Sequence, residues 1–251
     1  MELLSGIHPV REALRARRRR LLRLRLRAPL SREGAALAAL AGEAGAPVEQ
    51  IAAADFEAAS AGRRSQGALL EAGPLPVLGV DELAAAGAPG ERCLVALDGV
   101  EDPQNVGAIA RAADAAGASG LLLTSRRAPP LSPAVCRASA GAIEHLPVGR
   151  APNLVRALEG LQRGGFWCLG ADAGAGEPLF ESPDRAWQGD LVIVLGAEGR
   201  GLRPGTLRRL DWRLRIPVAG GVESLNVAAA AAVVLYERLR RRALAADAAP
   251  P

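Results

Sequence analysis

Residues 191–202 read L-V-I-V-L-G-A-E-G-R-G-L, a short apolar run that passes directly into a loop with three glycines around one carboxylate. An apolar run of five with no polar alternation is the pattern of a strand buried on both faces, and such strands belong to parallel sheets covered by helices. Outward from it, similar runs recur at residues 94–97, 120–123, 166–170 and 214–217, separated by helical segments, with few hairpin signals. The expected fold class is therefore α/β with a mostly parallel sheet, and function is expected in loops at the carboxyl ends of the strands. A last helix is expected over about residues 225–242, followed by a flexible tail, 245–251.

The amino-terminal part reads differently. Nine Arg fall between Arg11 and Arg27 with only Glu12 against them, and residues 22–28 read L-R-L-R-L-R-A. That period of two turns Leu22, Leu24 and Leu26 inward and sets Arg23, Arg25 and Arg27 as a ladder on the other face, either solvated or in contact with RNA phosphates. Ser31 opens a helix to about residue 43, and short strands near Val48 and at 68–71 complete a small α/β unit. Prolines and glycines crowd residues 74–91, the composition of a linker with one docked helix. The expected organisation is 1–73, a linker at 74–91, a second domain at 92–244, and the tail.

Composition narrows the function classes. Hydrophobic residues at 49% and charged residues at 23% describe a globular chain. No apolar run approaches the roughly 18 residues that span a bilayer, and no apolar core follows a basic leader, so neither membrane insertion nor a secretory signal is expected. Cys93, Cys136 and Cys168 are odd in number and too widely spaced for a disulfide framework, a metal knuckle or a redox pair, so a reducing cytoplasm is expected. All 31 basic residues are Arg; the net charge of +4 suits a polyanionic partner without requiring one.

Neither G-x-G-x-x-G after the first strand of the sheet nor G-x-x-x-x-G-K-[ST] occurs, which disfavours conventional dinucleotide and ATP sites. Three strand-following loops carry unusual polar content instead: L-D-G-V-E-D-P-Q-N-V-G-A-I-A-R (97–111), V-L-G-A-E-G-R-G-L (194–202) and I-P-V-A-G-G-V-E-S-L-N-V-A-A-A (216–230). Asn105 and Arg111 can face one cleft from a helix that begins beside them. Asn105 equally fits a helix N-cap, and Arg111 a surface pair with Asp98 or Asp114. Glu198 projects from a loop whose glycines, Gly196, Gly199 and Gly201, let backbone approach a ligand. Ser224 and Asn226 precede an Ala-rich helix, where Ser224 also fits an N-cap.

Taken together, the three loops resemble the motifs of the SpoU (TrmH) family of RNA ribose 2′-O-methyltransferases. G-I-H-P-V-R-E-A-L (6–14), S-Q-G-A-L-L (65–70) and S-A-G-A-I-E-H-L-P-V (139–148) are similar to the subgroup that methylates a guanosine in 23S ribosomal RNA. Ala197, where relatives commonly carry Asn or Ser, and Ser65, where His is common, depart from the pattern.

The resemblance implies a SPOUT-type domain with a carboxyl-terminal trefoil knot, preceded by a small L30e-like RNA-binding domain, and a homodimer. It implies that S-adenosylmethionine lies against Gly170, Ala171, Gly196, Ile216 and Leu225, without a metal. It also implies catalytic roles for Asn105, Arg111, Glu198, Ser224 and Asn226, while Arg23, Arg25, Arg27, Arg63 and Arg64 would hold RNA. Methylation of a transfer RNA or a ribosomal adenosine, and a noncatalytic role in ribosome assembly, are the alternatives.

Overall fold

The computed structural model describes residues 1–248. In chain order the first stretch gives β1 (Glu2–Ser5), α1 (Ile7–Ala16), β2 (Leu21–Arg27), α2 (Arg32–Glu43), β3 (Val48–Ile51), α3 (Ala53–Ser60) and β4 (Ala68–Ala72). Then come α4 (Val80–Ala84), β5 (Cys93–Asp98), α5 (Pro103–Ala115), β6 (Gly120–Thr124), α6 (Pro133–Ala138), β7 (Val148–Ala151), α7 (Leu154–Arg163) and β8 (Trp167–Ala171). The chain ends through β9 (Glu177–Pro178), β10 (Leu191–Gly196), α8 (Pro204–Leu207), β11 (Trp212–Arg215) and α9 (Val227–Ala248). The last helix thus extends past the expected residue 242 and takes in 245–248 of the expected tail; residues 249–251 lie outside the described residues.

The chain divides into two compact units: Met1–Pro76 with Pro130–His145, and Val77–Pro129 with the residues from Leu146 on. This differs from the expected boundaries in two ways. The stretch after Val77 belongs to the second unit, because Leu78 pairs with Gly149 and Leu83 of α4 packs on Gly120 and Gly149. Residues 130–145, expected inside the second domain, belong to the first.

The first unit is a four-stranded sheet of order β1-β4-β2-β3, with only β2 and β3 parallel. Leu24 and Leu26 are fully buried, as the alternation predicts, alongside Leu14 and Phe56. Ser31 caps α2, its Oγ accepting from Gly34 N at 3.0 Å. The 130–145 segment is fixed by a buried ion pair: Arg19 Nε donates to Glu144 Oε2 at 2.7 Å, with the Arg19 and Glu144 side chains 1% and 0% exposed. Arg19 Nη1 also reaches Glu2 at 2.6 Å and the Gly73 carbonyl at 3.1 Å. Burial opposes the Arg19 charge, but its bonds to Glu144 and Glu2 outweigh that cost and hold its pKa above the ordinary value.

The second unit carries a seven-stranded sheet of order β7-β6-β5-β10-β8-β11-β9, every pairing parallel. β5 and β10 lie at its centre and are buried almost end to end, which is why their sequences are uniformly apolar. Helix α9 packs on α5. At the amino-terminal edge Asp190 accepts from Gly90 N at 2.9 Å and Arg92 N at 2.8 Å, and its Oδ2 accepts from Arg92 Nη2 at 2.5 Å. The Arg92 guanidinium lies 4.6 Å from the Phe166 ring centre. Two strands of this unit escaped the sequence reading, β7 and the two-residue β9, as did β1, α1 and α3 of the first unit.

Candidate active site

β5 and β10 are neighbours in register, so the loops that leave them emerge side by side. Asp98, the last residue of β5, has a fully buried side chain and binds Arg203 beyond the β10 loop, accepting from its N at 2.9 Å and its Nε at 2.5 Å. This clamp joins the two loops at their bases and closes Asp98 to Arg111.

Helix α5 starts earlier than the N-cap reading of Asn105 requires. Asp102 is its cap, accepting from Gln104 N at 2.9 Å, with Pro103 in the first turn where a missing N–H costs nothing. Asn105 is thereby freed for another contact. Helix α9 is capped by Asn226, whose Oδ1 accepts from Ala228 N at 2.9 Å and Ala229 N at 3.3 Å, so Ser224 is not a cap. The Asn226 Nδ2 donates to Asn105 Oδ1 at 3.0 Å and, more closely, to Glu198 Oε1. One amide side chain therefore ties together all three loops singled out in the sequence.

The β10 loop turns back on itself. Gly201 N donates to the Ala197 carbonyl at 2.8 Å, and Gly199 and Gly201 take φ of +72° and +63°. A Cβ on Gly196 would collide with the Gly201 backbone, so glycine is required there by close approach. Between this loop, the end of β8 and the segment before α9 lies a cleft of about 480 Å³. Ala171, Gly196, Glu198, Ile216, Ser224 and Leu225 line it. Val222 and Leu225 present apolar surface within it while remaining 65% and 38% exposed.

Gly170 does not line the cleft: strand alternation turns it toward Leu202 and Leu210, which a Cβ there would meet. Asn105 and Asn226 lie outside the lining but are bonded to Glu198 within it. Arg111 is exposed on α5 and makes no hydrogen bond or ion pair among the described residues. Sequence reasoning missed the Asp98–Arg203 clamp and Asp172, a lining residue that accepts from Arg213 Nη2 at 2.6 Å. The available signal was a lone carboxylate closing β5, Asp98, and another immediately after β8, Asp172.

In the first unit the Arg ladder is largely paired. Arg23 lies 3.1 Å from Glu71 and 3.4 Å from Glu49, and Arg25 lies 3.0 Å from Glu71 and 3.2 Å from Glu49. Flanking strands thus return much of the positive charge that the sequence alone assigns to this face. Arg27, Arg63 and Arg64 are exposed; Arg63 donates to the Ser60 carbonyl at 3.2 Å. The three cysteines are buried and chemically quiet, burial pushing the Cys168 thiol up to about 12. Among the described residues no group of three or more His, Cys, Asp or Glu gathers as a metal site.

Against known proteins, the SpoU rRNA methylase family model matches residues 92–236. The chain belongs to the SpoU methylase family. A second model, for RNA 2′-O ribose methyltransferase substrate binding, matches residues 3–78. The chain is 37% identical to the 23S rRNA (guanosine-2′-O-)-methyltransferase RlmB of Pseudomonas syringae pv. tomato over 246 residues, 96% of each chain. It is 44% identical to the putative TrmH family tRNA/rRNA methyltransferase YacO of Bacillus subtilis over 58% of this chain and 57% of that one. Among solved SpoU-type structures, a putative RNA methyltransferase of the TrmH family from Porphyromonas gingivalis superposes with a TM-score of 0.73 at 31% identity, covering 96% of this chain and 90% of that one. AviRb of Streptomyces viridochromogenes, solved with AdoMet, gives a TM-score of 0.79 at 24% identity over 96% and 90% of the two chains, a likeness of fold.

Proposed function

We propose that this protein transfers a methyl group from S-adenosylmethionine to the ribose 2′-hydroxyl of a guanosine in large-subunit ribosomal RNA, acting in the cytoplasm as a homodimer with a trefoil-knotted carboxyl-terminal domain. The observation that carries this reading is the meeting of Asn105, Glu198 and Asn226 at the edge of a cleft whose lining combines glycines and small apolar side chains with the charged Asp172, Glu198, Arg200, Arg215 and Glu223.

The cleft fits the cofactor. Exposed Val222 and Leu225 offer apolar walls for a base and ribose, Gly196 keeps the floor free of side chain, and Glu198 complements a positively charged sulfonium. Ala171, Gly196, Ile216 and Leu225 would hold it, and when bound it supplies an activated methyl group.

The chain's own residues have the remaining work. A ribose hydroxyl is a weak nucleophile at neutral pH, so negative charge growing on its oxygen must be stabilised and its approach aligned. A guanidinium is a cation and a poor base, so Arg111 contributes positive charge and not proton abstraction. Its role is to anchor a phosphate and stabilise the developing alkoxide. Glu198 accepts a hydrogen bond from the substrate, Asn105 and Asn226 keep the loops in register, and Ser224 steadies the third loop. Arg27, Arg63 and Arg64 offer the free charge of the first unit to RNA. Tyr236 and Leu239, 51% and 40% exposed one turn apart on α9, supply apolar surface for a second copy.

The test is incubation with labelled S-adenosylmethionine and unmodified ribosomal or transfer RNA, followed by mapping of alkali-resistant positions. One labelled guanosine in large-subunit RNA is expected. Label in transfer RNA would move the substrate, and label in neither would overturn the reading.

A further inference from the structure

A second cavity of about 390 Å³ opens beside the candidate site, within the same unit, where β6 and β7 end. Its lining includes Arg126, Arg127 and Arg203, together with Asn153 and Thr206, and holds no carboxylate. Arg203 is committed to buried Asp98. Arg126 and Arg127 are exposed and have no side-chain partner among the described residues, so their charge is uncompensated.

The loop that carries them is braced. Arg150 crosses beneath it, donating through Nη1 to the Thr124 carbonyl at 3.3 Å and through Nη2 to the Pro129 carbonyl at 2.5 Å. Thr124 Oγ1 closes the turn onto the Arg126 carbonyl. Arg127 itself sits at φ +59°, a left-handed conformation that a Cβ disfavours and that glycine adopts freely. The opposite wall includes the first turn of α7, where the Asn153 side chain accepts from Arg156 N at 3.1 Å.

We propose that this cavity is a phosphodiester subsite for the substrate RNA, in which Arg126 and Arg127 hold a backbone phosphate next to the methylated nucleotide. The proposal rests on the methyltransferase reading above for its choice of RNA. β6 pairs directly with β5, whose loop leads into Asn105 and Arg111, so the cavity lies at the strand tip next to the one that carries these residues, roughly 5 Å away in the sheet. A strand of RNA lying across these tips presents one phosphate per nucleotide, and an Arg pair without competing acid selects for it.

The experiment compares the full-length protein with an Arg126→Ala, Arg127→Gly double variant, the glycine being chosen because it accepts the left-handed backbone. Binding of a large-subunit RNA transcript is measured between about 50 and 200 mM salt. Losing two phosphate contacts should flatten the dependence of log affinity on log salt by about 1.4 to 1.8, so that over this range the parent loses about 7- to 12-fold more affinity than the variant. An Arg126→Lys, Arg127→Lys protein should restore the slope, with unchanged cofactor affinity and unfolding midpoint throughout. A double variant whose slope equals the parent's would overturn the subsite. Methyl transfer by the parent, followed in parallel, separates the two readings: label with an unchanged slope removes the subsite alone, whereas a flattened slope without label keeps the subsite and removes the methyltransferase.

Discussion

Replacing Asn226 by Ala removes two kinds of interaction at once, and their sizes follow from the geometry. The cap on Ala228 N and Ala229 N contributes about 1 kcal/mol to a helix of this kind. The bonds to Asn105 and Glu198 are exposed and together contribute about 1 kcal/mol more. Asn226→Ala should therefore lower unfolding free energy by about 2 kcal/mol, read as a shift of the urea midpoint at constant slope. Asn226→Ser separates the two parts, since serine caps nearly as well but is too short to span three loops. It should recover about half of the lost stability. Turnover should not recover: loops released from one another misplace the reacting groups, and both variants should transfer methyl about 10- to 100-fold more slowly in single turnover. A serine variant with parental turnover would show that the amide only caps α9 and would refute the cross-loop role.

Three further outcomes follow from the packing. Gly196→Ala must push the Gly201 backbone away, so the protein should lose about 1–3 kcal/mol and bind S-adenosylmethionine more weakly, as calorimetry would read. Glu144→Ala leaves Arg19 buried without its main partner and should cost about 3–5 kcal/mol, seen as faster hydrogen exchange at the β4 amides. Arg92 holds the Asp190 carboxyl below its ordinary value of 3.8, its side-chain bond outweighing burial, with backbone N–H groups assisting. A depressed folded pKa gives stability that is complete above 3.8 and fades as pH falls through the folded value. The deficit of an Asp190→Asn variant should accordingly be largest near neutrality and close in acid, in urea midpoints taken from about pH 7 to pH 2.

What could be read from the sequence was whatever repeats locally. Uniformly apolar runs mark β5, β6, β8 and β10 because strands covered on both faces need no polar alternation, and the glycines of 196–201 mark the turn that follows. Cap assignments were harder, because Asp102 competes with Asn105 and Ser224 with Asn226. All four are short polar side chains able to accept from a helix N-terminus, and only the observed helix starts decide among them. Long-range pairing was invisible: Glu144 stands 125 residues from Arg19, and nothing near it shows that residues 130–145 join the first unit. The pairing of the Arg ladder was hidden for a related reason, since Glu71 and Glu49 come against Arg23 and Arg25 only once β4 and β3 are set in register on either side of β2.

The central claim is that loops at the β5 and β10 tips carry out transfer to a ribose hydroxyl, with Arg111 stabilising the oxygen. Single-turnover transfer by Arg111→Ala, with RNA and cofactor both saturating, tests it most directly. The rate should fall by about 10²–10³ while both affinities stay within a few-fold of the parent's. Full turnover with both ligands bound would contradict it.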